Sequence, residues 1–213
     1  LYVLVAISAL TCFFLTIVFQ GVLGKYGLPF LSIPFLVTIW IIGLSGGELT
    51  ALNISERGIY TYNELFGLGG HTMVRLYNWL EALVDSSFIR IYFYSLGAIF
   101  FQKGLLAGII ISFGLLIYSR ITFVLSILGY SVSYLFYILV GIEFNSLSYT
   151  FIGFNYILTA VALGGYYLIP GRTSYAWIII LLPSVVLITI STQHLFQVFH
   201  ISPYSLPFNM VVL

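Results

Sequence analysis

Polar side chains are scarce enough in this sequence to be weighed one by one: 213 residues carry seven Lys and Arg, six Asp and Glu, three His and one Cys. The most informative arrangement is one that occurs twice. Gly27-Leu28-Pro29-Phe30-Leu31-Ser32-Ile33-Pro34-Phe35 and His200-Ile201-Ser202-Pro203-Tyr204-Ser205-Leu206-Pro207-Phe208 both read Ser-x-Pro-Phe after an earlier proline. Two prolines around a serine break a helix, because each lacks an N–H donor and disfavours helix at the preceding residue. Proline suits a first helical turn, so Pro34 and Pro207 are read as starting helices whose free N–H groups, with the Ser32 and Ser205 hydroxyls, face a polar path. A hydroxyl is a usable donor and acceptor at such a break, although a bond to a preceding carbonyl of its own helix is its usual role. The bland reading, two interfacial turns before ordinary spans, explains one copy better than a matched pair.

Other constellations carry less. Gly43-Leu44-Ser45-Gly46 has the Gly-x-Ser-Gly form of intramembrane rhomboid serine proteases, with His194 as the candidate base. Ser45, however, ends an apolar run beside polar loop residues, and the other signatures of that family are absent. His71, His194 and His200 fall on different elements, and no Cys or carboxylate joins them at ligand spacing, so no metal is expected. Glu143 is a functional candidate if it lies within the membrane and ordinary if it lies at the surface. Cys12 sits in an apolar run, where it is read as core filling. No titratable pair at a midplane position argues for proton coupling, no cofactor motif is present, and the near balance of charge excludes a nucleic-acid partner.

The elements that must position these residues follow from composition. With 61% hydrophobic and 6% charged residues, the chain cannot cover a soluble surface with polar groups, and its solvent is lipid. Hydrocarbon leaves only helices or a closed barrel, and the apolar runs here are continuous rather than alternating. Apolar runs predict spans over 1–20, 28–44, 91–101 (short), 104–118, 121–140 and 175–195. Polar residues are concentrated over 45–86, where Gly67-Leu68-Gly69-Gly70 breaks the chain and 71–84 has the pattern of a surface helix. Residues 148–167 are apolar but interrupted by Gly153, Gly164 and Gly165 and bounded by Pro170-Gly171-Arg172, which fits a half-spanning re-entrant helix. The positive-inside count is nearly a tie, so orientation stays open. The chain opens inside an apolar run without Met or a basic flank and closes a few residues into another, and is read as an internal piece of a longer protein.

With the motifs placed, the chain resembles the urea transporter family. Residues 28–35 are similar to its Leu-Pro-x-x-Thr-x-Pro-Phe pattern, with Ser32 for threonine; 201–208 match more loosely, with Ile201, Ser202 and Ser205 replacing leucine, the first proline and threonine. Gly153-Phe154-Asn155-Tyr156-Ile157-Leu158, then Ala162-Leu163-Gly164-Gly165, resembles the family's pore-helix sequence. The resemblance implies an all-α polytopic bundle of inverted-repeat halves with a re-entrant pore helix. Residues 1–46 would be the last two spans of the first repeat, 47–86 the inter-repeat loop and 87–213 the second repeat, its final span truncated. It further implies passive transport of urea or a similar small neutral solute, without cofactor, by a homotrimer in the cell membrane (the inner membrane if bacterial). Ser32 and Ser205 would mark the pore centre; Phe101, Phe154 and Leu158 would form a slot, with Phe35 and Phe208 from the two motifs. Where the family carries Gln or Glu, three residues before Phe101, this chain has Ala98. That departure leaves water, ammonia, a related amide or an auxiliary subunit without transport as alternatives.

Overall fold

The structure, a computed structural model, describes residues 2–45, 61–84, 86–102, 104–141, 153–199 and 201–213, with side chains for all of these but 61–66 and 68. Every regular element among them is helical: α1 (Tyr2–Gly24), α2 (Ile33–Ser45), α3 (Thr61–Leu83), α4 (Ser87–Ala98), α5 (Leu105–Tyr118), α6 (Arg120–Val140), α7 (Gly153–Ala162) continued by one π turn (Leu163–Tyr167), α8 (Arg172–Gln197) and α9 (Leu206–Val212). Three of these, α1, α6 and α8, are long and apolar enough to cross a membrane. At 1.5 Å per residue, α2 with 13 residues reaches only about 20 Å and α7 with 10 about 15 Å, short of a hydrocarbon core of about 30 Å.

That corrects the span expected over 28–44. Its first five residues are not helical, because Pro29 and a left-handed Leu31 (φ 45°) interrupt the ladder before α2 begins at Ile33. The span expected over 91–101 is α4, which starts earlier, at Ser87, and ends at Ala98, where Phe101 turns left-handed (φ 59°). The helix expected over 71–84 is the second part of α3: Gly69 (φ −150°, ψ 18°) and Gly70 (φ 59°, ψ −149°) are not helical and divide α3 in two directly before His71, at the glycine break the sequence marks, and a further helical stretch precedes them from Thr61. Cys12 is not core filling; it is partly exposed on α1, a helix with no buried residue. Glu143, His200 and residues 148–152 lie outside the described residues.

The chain divides into two compact units, residues 1–56 with 188–213, and residues 57–187. In the first, α2 packs on α1 and α9 meets α2. Trp40 of α2 stacks at 5.1 Å on Phe196, and its Nε1–H donates to the Ser202 carbonyl at 2.9 Å, tying α2 to the segment ahead of α9.

In the second unit, α4 and α5 form a hairpin closed by glycines. A Cβ on Gly108 would meet the Phe93 carbonyl oxygen at 1.9 Å, so only glycine permits this backbone approach. The α6–α7 pair uses the same device: a Cβ on Gly129 would meet Ala160 Cβ at 2.6 Å and the Tyr156 carbonyl oxygen at 2.7 Å. Tyr92, Leu96, Tyr130 and Ile157 form the core between these helices. Their polar tips are satisfied: the Tyr92 and Ser126 hydroxyls pair at 2.8 Å, Tyr130 donates to the Phe88 carbonyl at 2.9 Å, and the Tyr137 and Tyr156 hydroxyls pair across α6 and α7. Arg90 closes the end of α3 by donating to the carbonyls of Val84 (2.9 Å) and Glu81 (3.3 Å), while Tyr94 donates to Glu81 Oε1 at 2.9 Å. Burial first, and then a hydrogen bond to Glu81, pushes the Tyr77 phenol up, so it stays neutral.

Candidate functional site

The two Ser-x-Pro-Phe segments fold alike, atom group by atom group, at a spacing of 173 residues. In the first copy α1 ends at Gly24, and the Tyr26 and Leu28 N–H groups both donate to the Leu23 carbonyl, at 2.9 and 3.1 Å. In the second, α8 ends at Gln197, and the Phe199 and Ile201 N–H groups both donate to the Phe196 carbonyl, at 3.1 and 3.3 Å. These bonds satisfy carbonyls that a helix end leaves open. Each chain then makes a tight turn, Ile33 N–H to Phe30 carbonyl at 3.2 Å and Leu206 N–H to Pro203 carbonyl at 2.9 Å. Inside each turn one non-glycine residue is left-handed, Leu31 and Tyr204, both at φ 45°. Such a conformation costs roughly 1–2 kcal/mol for an L-residue. It occurs at the same place in both copies, directly before the serine.

The prolines do what their chemistry allows: Pro34 and Pro207 each take the second position of a helix, where a missing N–H leaves no bond unmade. The serine carbonyls accept the first helical bonds, from Leu36 N–H at 3.0 Å and Asn209 N–H at 3.1 Å. The two serines thereby stand at equivalent helix starts, with their Oγ atoms 2.7 Å apart.

A third residue completes the cluster. Asn209 accepts from Ser32 N–H through Oδ1 (3.3 Å) and donates through Nδ2 to Ser32 Oγ (2.8 Å) and to the Ser205 carbonyl (2.7 Å). The amide orientation follows from its partners: a backbone N–H can only donate and a backbone carbonyl can only accept, so the flipped amide would oppose like groups at both. Two hydroxyls offer two protons and four lone pairs. Their mutual bond uses one of each and Asn209 uses one more lone pair, which leaves one proton and two lone pairs for a visitor. None of these groups is charged.

Sequence reasoning singled out both serines and passed over Asn209. The signal was present: it directly follows the second Pro-Phe, one helical turn after Ser205, where the first copy has Leu36. The other expected residues lie as follows. Phe35 is 39% exposed on α2, whereas its counterpart Phe208 is buried on α9. In the second unit, Ala98 is the buried last residue of α4, and Phe101 follows it in a Schellman-type turn, with Phe101 N–H bonded to the Ala98 carbonyl at 3.0 Å and Gln102 N–H to the Gly97 carbonyl at 3.0 Å. Phe154 is buried and Leu158 half-buried on α7, which packs on α4 where Gly153 abuts Ser95.

Ser45 is no nucleophile held by a base; its hydroxyl donates back to its own helix, to the carbonyls of Ile41 at 2.8 Å and Ile42 at 3.2 Å. Among the described residues no group of His, Cys, Asp or Glu is placed to hold a metal ion.

Three helices long and apolar enough to cross a membrane, among described elements that are all helical, define a helical membrane protein. The sequence matches the family model described as Urea transporter over residues 1–213, and the chain belongs to that family. A comparison with curated proteins returned no match.

Proposed function

We propose that the protein conducts urea, or an amide of similar size and polarity, down its gradient, and that the Ser32–Ser205 pair is the polar midpoint of the path. The observation that carries this reading is the 2.7 Å hydroxyl pair held at two equivalent breaks in otherwise apolar helices. Urea is neutral and planar, with one carbonyl acceptor and four N–H hydrogens; the pair offers one donor and two acceptors and no charge. Family membership supports urea as the solute. On the motif match, Phe35 and Phe208 are assigned to apolar walls beside the serines, and Phe101, Phe154 and Leu158, all of the second unit, to an apolar slot. Ala98 supplies no side-chain hydrogen bond where the family carries an amide or carboxylate, so the polar selection falls on the serines. The short α7 with its π turn is read as the re-entrant element, the matched breaks as one end of an inverted repeat, and the working form as a homotrimer in the cell membrane.

The test is urea entry into proteoliposomes, followed by stopped-flow light scattering across a urea series, with Ala98→Gln alongside. Fast, saturable entry in the wild-type protein supports the proposal. No entry in wild type but entry in Ala98→Gln would assign the path to another solute, and none in either would replace transport by an auxiliary role.

A further inference from the structure

We propose that Asn209 is the positioning residue of the serine pair: it sets the direction in which the two hydroxyls point their protons, and so which serine donates to the solute. The proposal rests on the reading of Ser32 and Ser205 as the polar midpoint and deepens it.

The geometry gives Asn209 three bonds, and all three fall on the serines: the Ser32 N–H, the Ser32 hydroxyl and the Ser205 carbonyl. Its side chain is 2% exposed, so no bulk water competes for these partners. The Nδ2 donor fixes a lone pair of Ser32 Oγ. An oxygen that already accepts a hydrogen bond is a stronger donor, because successive bonds polarise one another in a low dielectric. The chain therefore runs from Asn209 Nδ2–H to Ser32 O–H to Ser205 Oγ. Ser32 spends its proton inside the protein, and the Ser205 hydroxyl is the one free to donate to a solute carbonyl.

The two copies do not share this device. At the position equivalent to Asn209 the first copy has Leu36, 1% exposed, whose side chain neither donates nor accepts. The turns that hold the two serines are otherwise matched bond for bond. The asymmetry of the pair therefore comes from one side chain, and the same orienting role is open to the equivalent position: an asparagine at 36 would face Ser205 N–H, Ser205 Oγ and the Ser32 carbonyl, and would run the chain in the opposite direction.

The experiment is a swap in the full chain, read by urea flux in proteoliposomes. Asn209→Leu leaves the hydroxyls unoriented and should cut maximal urea flux about tenfold, the scale of one lost buried donor. Leu36→Asn added to Asn209→Leu should restore flux to within about threefold of wild type, since the lost donor is resupplied at the equivalent position. In addition, Ser205→Ala should reduce wild-type flux more than Ser32→Ala, and this order should invert in the swapped background. A packing role for Asn209 predicts no rescue and no inversion, and either result overturns the proposal. Wild-type protein without urea flux would instead remove the reading beneath it. Should Asn209→Leu not assemble, Asn209→Asp serves: its carboxylate accepts from both Ser32 groups and reverses the chain, while the neutral acid recovers one donor. Burial raises the carboxyl's titration above its usual range, and neither α2 nor α9 carries another titratable side chain. Flux of this variant should fall as pH rises from about 5 to about 8 and that of wild type should not; the same pH profile in both overturns the proposal.

Discussion

Replacing Phe101 by glycine and, in parallel, by alanine separates what its backbone does from what its ring does. Phe101 sits at φ 59° where α4 ends, a position usually given to glycine. A left-handed L-residue costs about 1–2 kcal/mol, and glycine loses about 0.5–1 kcal/mol of backbone freedom relative to alanine when ordered. Both variants lose the ring, which is 38% exposed, and both lose its packing equally. Only glycine relieves the strain. Phe101→Gly should therefore be more stable than Phe101→Ala by about 0.5–1 kcal/mol, or about 1–4 °C in detergent, the reverse of their order in a helix interior. Thermal unfolding followed by tryptophan fluorescence reads the difference, and urea flux reads the ring: if Phe101 lines the path, the two variants change solute discrimination to the same extent. An alanine variant as stable as the glycine variant would refute the strain argument, and unchanged discrimination in both would take Phe101 out of the path.

Three further perturbations follow from packing and hydrogen bonds. Gly129→Val pushes a branched side chain against Ala160 and the Tyr156 backbone and should cost at least about 1–3 kcal/mol, seen as loss of the folded fraction in size-exclusion chromatography. Arg90→Met removes the donor that closes the end of α3 at Val84 and Glu81, so amide exchange over 76–84 should quicken while α6 exchange stays unchanged. Tyr137→Phe removes the hydroxyl pair that links α6 to α7 and should lower stability by about 1 kcal/mol in a thermal-shift assay.

Much of the fold was legible because the chain's interruptions are chemical. Prolines announced the breaks at Ser32 and Ser205, and Gly153, Gly164 and Pro170 bounded the short α7. Hydropathy alone misread 28–44 as a full span, because an apolar window cannot register the left-handed turn at Leu31 that confines the helix to Ile33 onward. The same blindness placed α4 too far along, since Phe101 is as apolar as a span residue yet turns the chain. The serines were found by their repetition. Asn209 was not, because its role depends on a partner 177 positions earlier, a separation over which no local pattern speaks. Close approaches such as Gly129 on Tyr156 were hidden for the same reason: a glycine in an apolar run marks contact only once its neighbour is known.

The central claim, that the paired hydroxyls form the polar point of a urea path, is tested most directly by urea flux through Ser32→Val and Ser205→Val proteoliposomes beside wild type, with folding checked by chromatography. Valine puts a methyl group in place of the hydroxyl and adds a second one, so it leaves no cavity and removes both hydrogen-bonding functions; each variant should lose about nine-tenths or more of saturable urea entry while remaining assembled. Wild-type rates in either folded variant would contradict the account.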